Sequence, residues 1–210
     1  TKNVLLRMLA PRPDDEILEI GCGLGTWTRL VAPRCRDITA IDISKKMIED
    51  SKRNVKLRNV KFGISDFMLF STKKKFDKIF AVRSLEYLNN METGIMKVYD
   101  MLKDGGHLVV VTKSKPCAWD IIYHERWKRT GFRQNKVSHI KMRRILHKAG
   151  FRGIEVSPVI VRAPIFSGGI MELPLVMDSV SKYILKVFGY IGNFKYSIAF
   201  AESYAITAMK

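Results

Sequence analysis

Glu19, Gly21, Gly23, Gly25 and Asp42 have the types and spacing to hold a polar ligand against the backbone. In ILEIGCGLGTWT, residues 17–28, an apolar run (Ile17, Leu18, Ile20) carries one carboxylate, Glu19. It then breaks into glycine at every second position. Glycine has no Cβ, so the chain can turn sharply there and let a ligand approach its N–H groups. A carboxylate at the end of such a run favours a ligand with hydroxyls or a positive charge over a naked phosphate. Asp42 ends a second apolar run, ITAIDIS, 38–44. It follows Glu19 by 23 residues, near the roughly 20-residue spacing at which an acid meets ribose hydroxyls in nucleotide-binding sheets.

These residues need a scaffold that brings strand ends together. Apolar runs predict strands at 17–20, 38–42, 60–64, 78–82 and 107–112, with helices near 26–32, 45–53 and 91–102 between them. Strict alternation of this kind predicts a parallel sheet with helices on both faces. Asn3 to Ala10 reads as a helix stopped by Pro11 and Pro13. Ser44 is the expected N-cap of the second core helix. Gly105 and Gly106 are expected to close the helix ending near Lys103. Beyond Ser114, His139 to Ala149 reads as a helix closed by Gly150, Ile154 to Val161 as a strand, and the run from Ser197 as a last strand.

The dinucleotide fingerprint G-x-G-x-x-G has its third glycine one residue later than here. The pattern E-x-G-x-G-x-G instead resembles motif I of the class I S-adenosylmethionine-dependent methyltransferases. Other segments match that family in order: ITAIDIS with Asp42, FGISDFMLF with Ser65, Asp66 and Phe67, FDKIFAVRSLEYL at 76–88, and LKDGGHLVVVTKS at 102–114. Asp104 stands where the family usually has proline. The resemblance covers Val4 to Ser114 well and the remainder loosely. It implies an α/β, Rossmann-like, seven-stranded, mostly parallel sheet with an antiparallel last strand and helices on both faces. It also implies S-adenosyl-L-methionine as cofactor, leaving S-adenosyl-L-homocysteine, and no metal. By the resemblance, Glu19 anchors the methionine amino end, and Gly21, Cys22, Gly23 and Gly25 supply the approaching backbone. Asp42 takes the ribose hydroxyls, Ile43 lies against the adenine face, and Asp66 with Phe67 meets the adenine edge. Arg83 opens the loop facing the methyl group and counts with the cofactor residues.

On the acceptor side, Glu86 or Tyr87 is suited to orient a substrate hydroxyl. His124 and His139 are candidate bases, because imidazole titrates near neutrality. His107 and His147 receive no role. The fourth strand runs into V-R-S-L, not D/N-P-P-Y/F, which argues against amino methylation of DNA bases of that type. A paired-carboxylate loop of the protein-arginine type and an acidic cluster of the catechol type are also missing. The sequence looks most like the small-molecule and lipid group, which includes quinone and sterol methyltransferases.

At 210 residues the chain suits one domain: a cofactor-binding half at 11–115, a basic substrate-side segment at 116–152, and a cap-like insert at 162–196. In that insert Leu175, Val176, Val180, Tyr183, Ile184, Val187 and Phe188 recur at helical spacing, which predicts a helical insert between strands six and seven. Cys22, Cys35 and Cys117 make an odd count without metal-ligand spacing, so a reduced, cytoplasmic setting is expected. No apolar run approaches the roughly 20 residues that span a bilayer. The net charge is +17, and residues 126–152 hold ten Lys/Arg and no acid. Such charge invites polyanions. Three readings stay open: a methyltransferase for a small, apolar or lipid-like acceptor, working in contact with an anionic membrane surface; an RNA methyltransferase; and a non-catalytic cofactor-binding partner subunit.

Overall fold

The computed structural model describes residues 1–114, 135–161 and 201–210. The insert at 162–196 and His124 lie outside these residues.

The elements run α1 (Lys2–Leu9), β1 (Glu16–Ile20), α2 (Thr26–Val31), β2 (Asp37–Asp42), α3 (Lys45–Asn54), β3 (Val60–Ile64), β4 (Phe76–Val82), α4 (Met91–Met101), β5 (Leu102–Lys113), α5 (His139–Lys148), β6 (Arg152–Val161) and β7 (Ala201–Met209). They form one seven-stranded sheet in the order β3-β2-β1-β4-β5-β7-β6. The first five strands are parallel. β7 runs antiparallel to both β5 and β6.

β1 shows why the sequence pattern gives this sheet. Ile17, Leu18 and Ile20 are all buried, because both faces of the strand are covered. A parallel strand buried on both faces reads as a near-continuous apolar run. Ile17 packs with Leu5, Leu9, Val31, Ile38 and Phe80 on the side of α1 and α2. Leu18 and Ile20 pack with Ile79, Ile95, Val98 and Met142 on the side of α4 and α5. Each such side chain contributes about 1.5–3 kcal/mol of burial free energy. In α3, Ser44 caps the helix by accepting from Met47 N–H, and Ile48 is its buried anchor, packed with Cys22 and Ala40. The sheet core thereby fixes the C-terminal ends of β1, β2 and β4 side by side, with Ile20 in register with both Ile41 and Ala81.

One local expectation is corrected. α4 ends at Met101, and Leu102 is already extended, so Gly105 and Gly106 do not close the helix. They lie at the entry of β5, where the register jumps from Phe76 opposite Leu102 to Lys78 opposite His107. Gly105 takes a φ of +75°. A Cβ on Gly106 would stand 2.8 Å from the Lys103 carbonyl oxygen. The glycine pair therefore forms a bulge that lets β5 re-enter the sheet.

Candidate active site

The glycine loop is tied to the next strand. Gly21 N–H and Cys22 N–H both donate to Ile41 O, at 2.8 and 3.0 Å. Gly21, Gly23 and Gly25 all have positive φ (+74°, +52° and +78°), a region that a Cβ disfavours. Two of them are also steric necessities. A Cβ on Gly21 would stand 2.3 Å from Ser84 Cβ, and one on Gly25 would stand 2.8 Å from Val55 Cγ2. Gly23 differs, because a Cβ there would meet nothing within 4 Å. Its free face is a place where a ligand can approach the backbone.

Asp42 sits where β2 ends. One carboxylate oxygen accepts from Gly23 N–H and the other from Ser44 N–H, both at 2.9 Å. Ile43, beside it, is 70% exposed, a large apolar side chain held out at the strand tops. Ser65 N–H donates to Asp42 O at 2.9 Å, which brings the end of β3 alongside. Asp66 follows, and its carboxylate accepts from Met68 N–H at 2.8 Å. Phe67 is buried in the core on the α4 side, with Lys97 Nζ 5.4 Å from its ring centroid. Its side chain holds the loop, and what it presents toward the crevice is backbone.

Glu19 is 1% exposed and lies beneath the loop. Thr28 Oγ1 donates to it at 2.5 Å. Burial, opposed by this hydrogen bond and reinforced by nearby Asp42, pushes its carboxyl up to about 8. The Cys22 thiol is pushed up by burial and by Glu19 and Asp42. Its side chain packs in the core, so Cys22 brings only backbone to the loop.

The other half of the crevice lies over β4, β5 and β7. Arg83 follows β4 with a φ of +60°. Its Nη1 donates to Ser203 Oγ at 2.7 Å, and its Nε lies 3.4 Å from Glu86 Oε1. Glu86 is 1% exposed, and its other oxygen accepts from Thr112 Oγ1 at 2.6 Å. Glu86 is thus placed behind Arg83, whereas Tyr87 is 51% exposed. Ser84 Oγ donates to Ile20 O, joining this loop to the end of β1. Asn135 closes the same loop from the far side: its N–H donates to Glu86 O at 2.7 Å, and its side chain donates to Leu88 O at 2.6 Å. His139 packs edge-on against Tyr204, with centroids 6.2 Å apart. Burial and neighbouring Arg143 lower its pKa. His107 is at the opposite end of the sheet, in register with Lys78 and Met209.

Residues 17–106 match the family model described as a methyltransferase domain. These residues form a methyltransferase domain. The methyltransferase domain is 34% identical to Nodulation protein S of Rhizobium tropici over 110 residues, half of this chain and 46% of that protein. It is 32% identical to a demethylmenaquinone methyltransferase of Tropheryma whipplei over 111 residues, 52% of this chain and 46% of that protein. The chain spans about half the length of these curated relatives. In fold it is similar to N-methyltransferase NodS of Bradyrhizobium japonicum WM9, solved with S-adenosylhomocysteine. That likeness has a TM-score of 0.67 at 20% identity and covers 100% of this chain and 85% of NodS.

The methyltransferase domain's own geometry fits this cofactor. Gly23 offers open backbone, Asp42 is a fixed carboxylate beside it, and Ile43 is an exposed apolar face next to both. Sequence reasoning missed Thr28, Ser84, Thr112, Asn135 and Ser203 as parts of the site. Thr28 and Ser84 lay inside segments already singled out. Thr112 and Ser203 reach it only through the sheet, Asn135 only from the segment before α5, and none carries a local signal.

Proposed function

We propose that the chain transfers a methyl group from S-adenosylmethionine to a small, apolar or lipid-like acceptor. The observation that carries this reading is the Asp42 carboxylate held on Gly23 N–H at 2.9 Å beside open backbone. A carboxylate in that place suits vicinal hydroxyls. When bound, the cofactor supplies an electrophilic methyl on a sulfonium. The work left to the protein is holding, orienting and excluding water. Asp42 holds the ribose hydroxyls, Gly23 gives the backbone approach on a loop that Gly21 and Gly25 shape, and Ile43 and Asp66 take the adenine side. Glu19 holds the ammonium end from beneath the loop, through the cation's effect on its ionisation or through water. Tyr87 is the exposed side chain of the β4 loop placed to touch the acceptor.

The small-molecule reading is supported by the relatives, among them a demethylmenaquinone methyltransferase. No helix among the described residues is long and apolar enough to cross a membrane. Contact with an anionic surface is instead suited by α5, which leaves Lys141, Arg143, Arg144, His147 and Lys148 exposed. The same charge favours RNA as the alternative acceptor. The test is incubation of the protein with methyl-labelled S-adenosylmethionine and, separately, a bacterial lipid extract and total RNA. Label entering the lipid fraction supports the reading. Label entering RNA alone replaces it, and label in neither, from a protein that binds the cofactor product, favours a partner subunit.

A further inference from the structure

The Arg83 guanidinium is aimed away from the glycine loop. In the order β1-β4-β5-β7, Arg83 begins at the end of β4 and donates to Ser203 on β7 at 2.7 Å. Two strand spacings of about 4.8 Å separate β4 from β7. The side chain therefore lies across β5, on the side of the crevice opposite β1. Its backbone is fixed in the same sense: Arg83 N–H donates to Val111 O at 2.8 Å. Among the described residues, Arg83 and Ala10 are the non-glycine residues at positive φ. A non-glycine residue held in this conformation needs surroundings that determine it, and such residues cluster at ligand sites.

Two groups fix the guanidinium from behind. Ser203 takes Nη1, and Glu86 faces Nε at 3.4 Å. Glu86 is itself immobilised, buried with one oxygen on Thr112. Its other oxygen, Oε1, has no hydrogen bond, so Arg83 is the cation that offsets it. Among the described residues Nη2 has no acceptor, and the side chain remains 35% exposed. A guanidinium fixed at Nε and Nη1 keeps its charged Nη2 donors for another partner, and these suit a carboxylate or phosphate oxygen. Two further cations belong to the same elements: Lys113 is in register with Ser203, and Lys136 follows Asn135, which donates to Glu86 O.

We infer that Arg83 binds the oxyanion of the methyl acceptor, a carboxylate or phosphate, with Glu86 and Ser203 as positioning residues. This moves Arg83 from the cofactor side, where the sequence resemblance placed it, to the acceptor side. It rests on the methyl-transfer reading and narrows its acceptor to one with an anionic group.

The test titrates the protein loaded with S-adenosylhomocysteine with octanoate, octyl phosphate and their uncharged twin octanamide. At least one anion binds about tenfold tighter than octanamide. Arg83→Gln erases that preference and keeps the affinity for S-adenosylhomocysteine, whereas Arg83→Lys keeps part of the preference. Ser203→Ala preserves the charge but removes the Nη1 partner. It weakens the preference, and it decides the matter if Arg83→Gln does not fold. Equal binding of anions and amide overturns the inference, as does a preference that survives both Arg83→Gln and Ser203→Ala. Loss of S-adenosylhomocysteine binding in Arg83→Gln alone returns Arg83 to the cofactor and overturns it too. A wild-type protein that binds no S-adenosylhomocysteine overturns the methyl-transfer reading itself, a separate result.

Discussion

Thr28 Oγ1 donates to the Glu19 carboxyl at 2.5 Å, beneath the glycine loop and out of reach of bulk water. The two residues come from the end of β1 and the first helical turn of α2, so this bond joins the strand to the helix across the loop. It also gives a buried acid a partner, and leaving such a group unmade costs about 1–3 kcal/mol. The acid is nonetheless strained by its place, because burial outweighs the hydrogen bond and pushes it up to about 8.

That shift makes stability depend on pH in a definite direction. The unfolded carboxyl ionises near 4.5, whereas the folded one holds its proton to about 8. Between these values the folded state binds more protons, so stability falls as pH rises through the window and levels off above it. Urea unfolding at pH 5 and pH 8 is expected to show a loss that shrinks in Glu19→Gln. An equal loss in both proteins would mean that Glu19 is not its source.

Gly21 and Gly23 separate packing from ligand approach. Gly21→Ala drives a Cβ to 2.3 Å from Ser84 Cβ at a φ of +74°, so the β4 loop must shift. A loss of several kcal/mol is expected in thermal unfolding, where overpacking alone costs about 1–3 kcal/mol. Gly23→Ala meets open space at a φ of +52° and costs about 1–2 kcal/mol from the backbone. The folded Gly23→Ala protein is expected to bind S-adenosylhomocysteine at least tenfold more weakly, about 1.4 kcal/mol. Equal stability of the two variants would contradict the difference in their surroundings.

Lys78 tests the frame without touching the site. It is buried, with Nζ 2.8 Å from Asp15 and donating to Ala10 O. It ties α1 and the entry of β1 to β4 at the end of the sheet away from Asp42. Lys78→Ala leaves Asp15 buried without its cation and is expected to cost about 3–5 kcal/mol. At a temperature where the variant is folded, calorimetry should find its affinity for S-adenosylhomocysteine unchanged.

The strands of the cofactor half were legible because β1 and β4 are largely buried on both faces, so burial wrote itself into mostly apolar runs. The loop was legible because only glycine tolerates three positive φ values in alternation. The helix end near Lys103 was misplaced because a glycine pair marks both a helix stop and a strand bulge. Pairing of β4 with β5 decided between them. The acceptor half was least legible. Glu86 reads from the sequence as a group to orient a substrate hydroxyl, yet Thr112 on β5 holds it buried against Arg83, which Ser203 on β7 holds in turn.

The central claim is that Asp42, braced on Gly23, forms the cofactor site. Calorimetric titration with S-adenosylhomocysteine, wild type beside Asp42→Ala, tests it most directly. Removing charge-assisted hydrogen bonds worth about 1.5–3 kcal/mol predicts micromolar binding weakened by about 10- to 100-fold in the variant. Equal affinity in the two folded proteins would contradict the site as drawn.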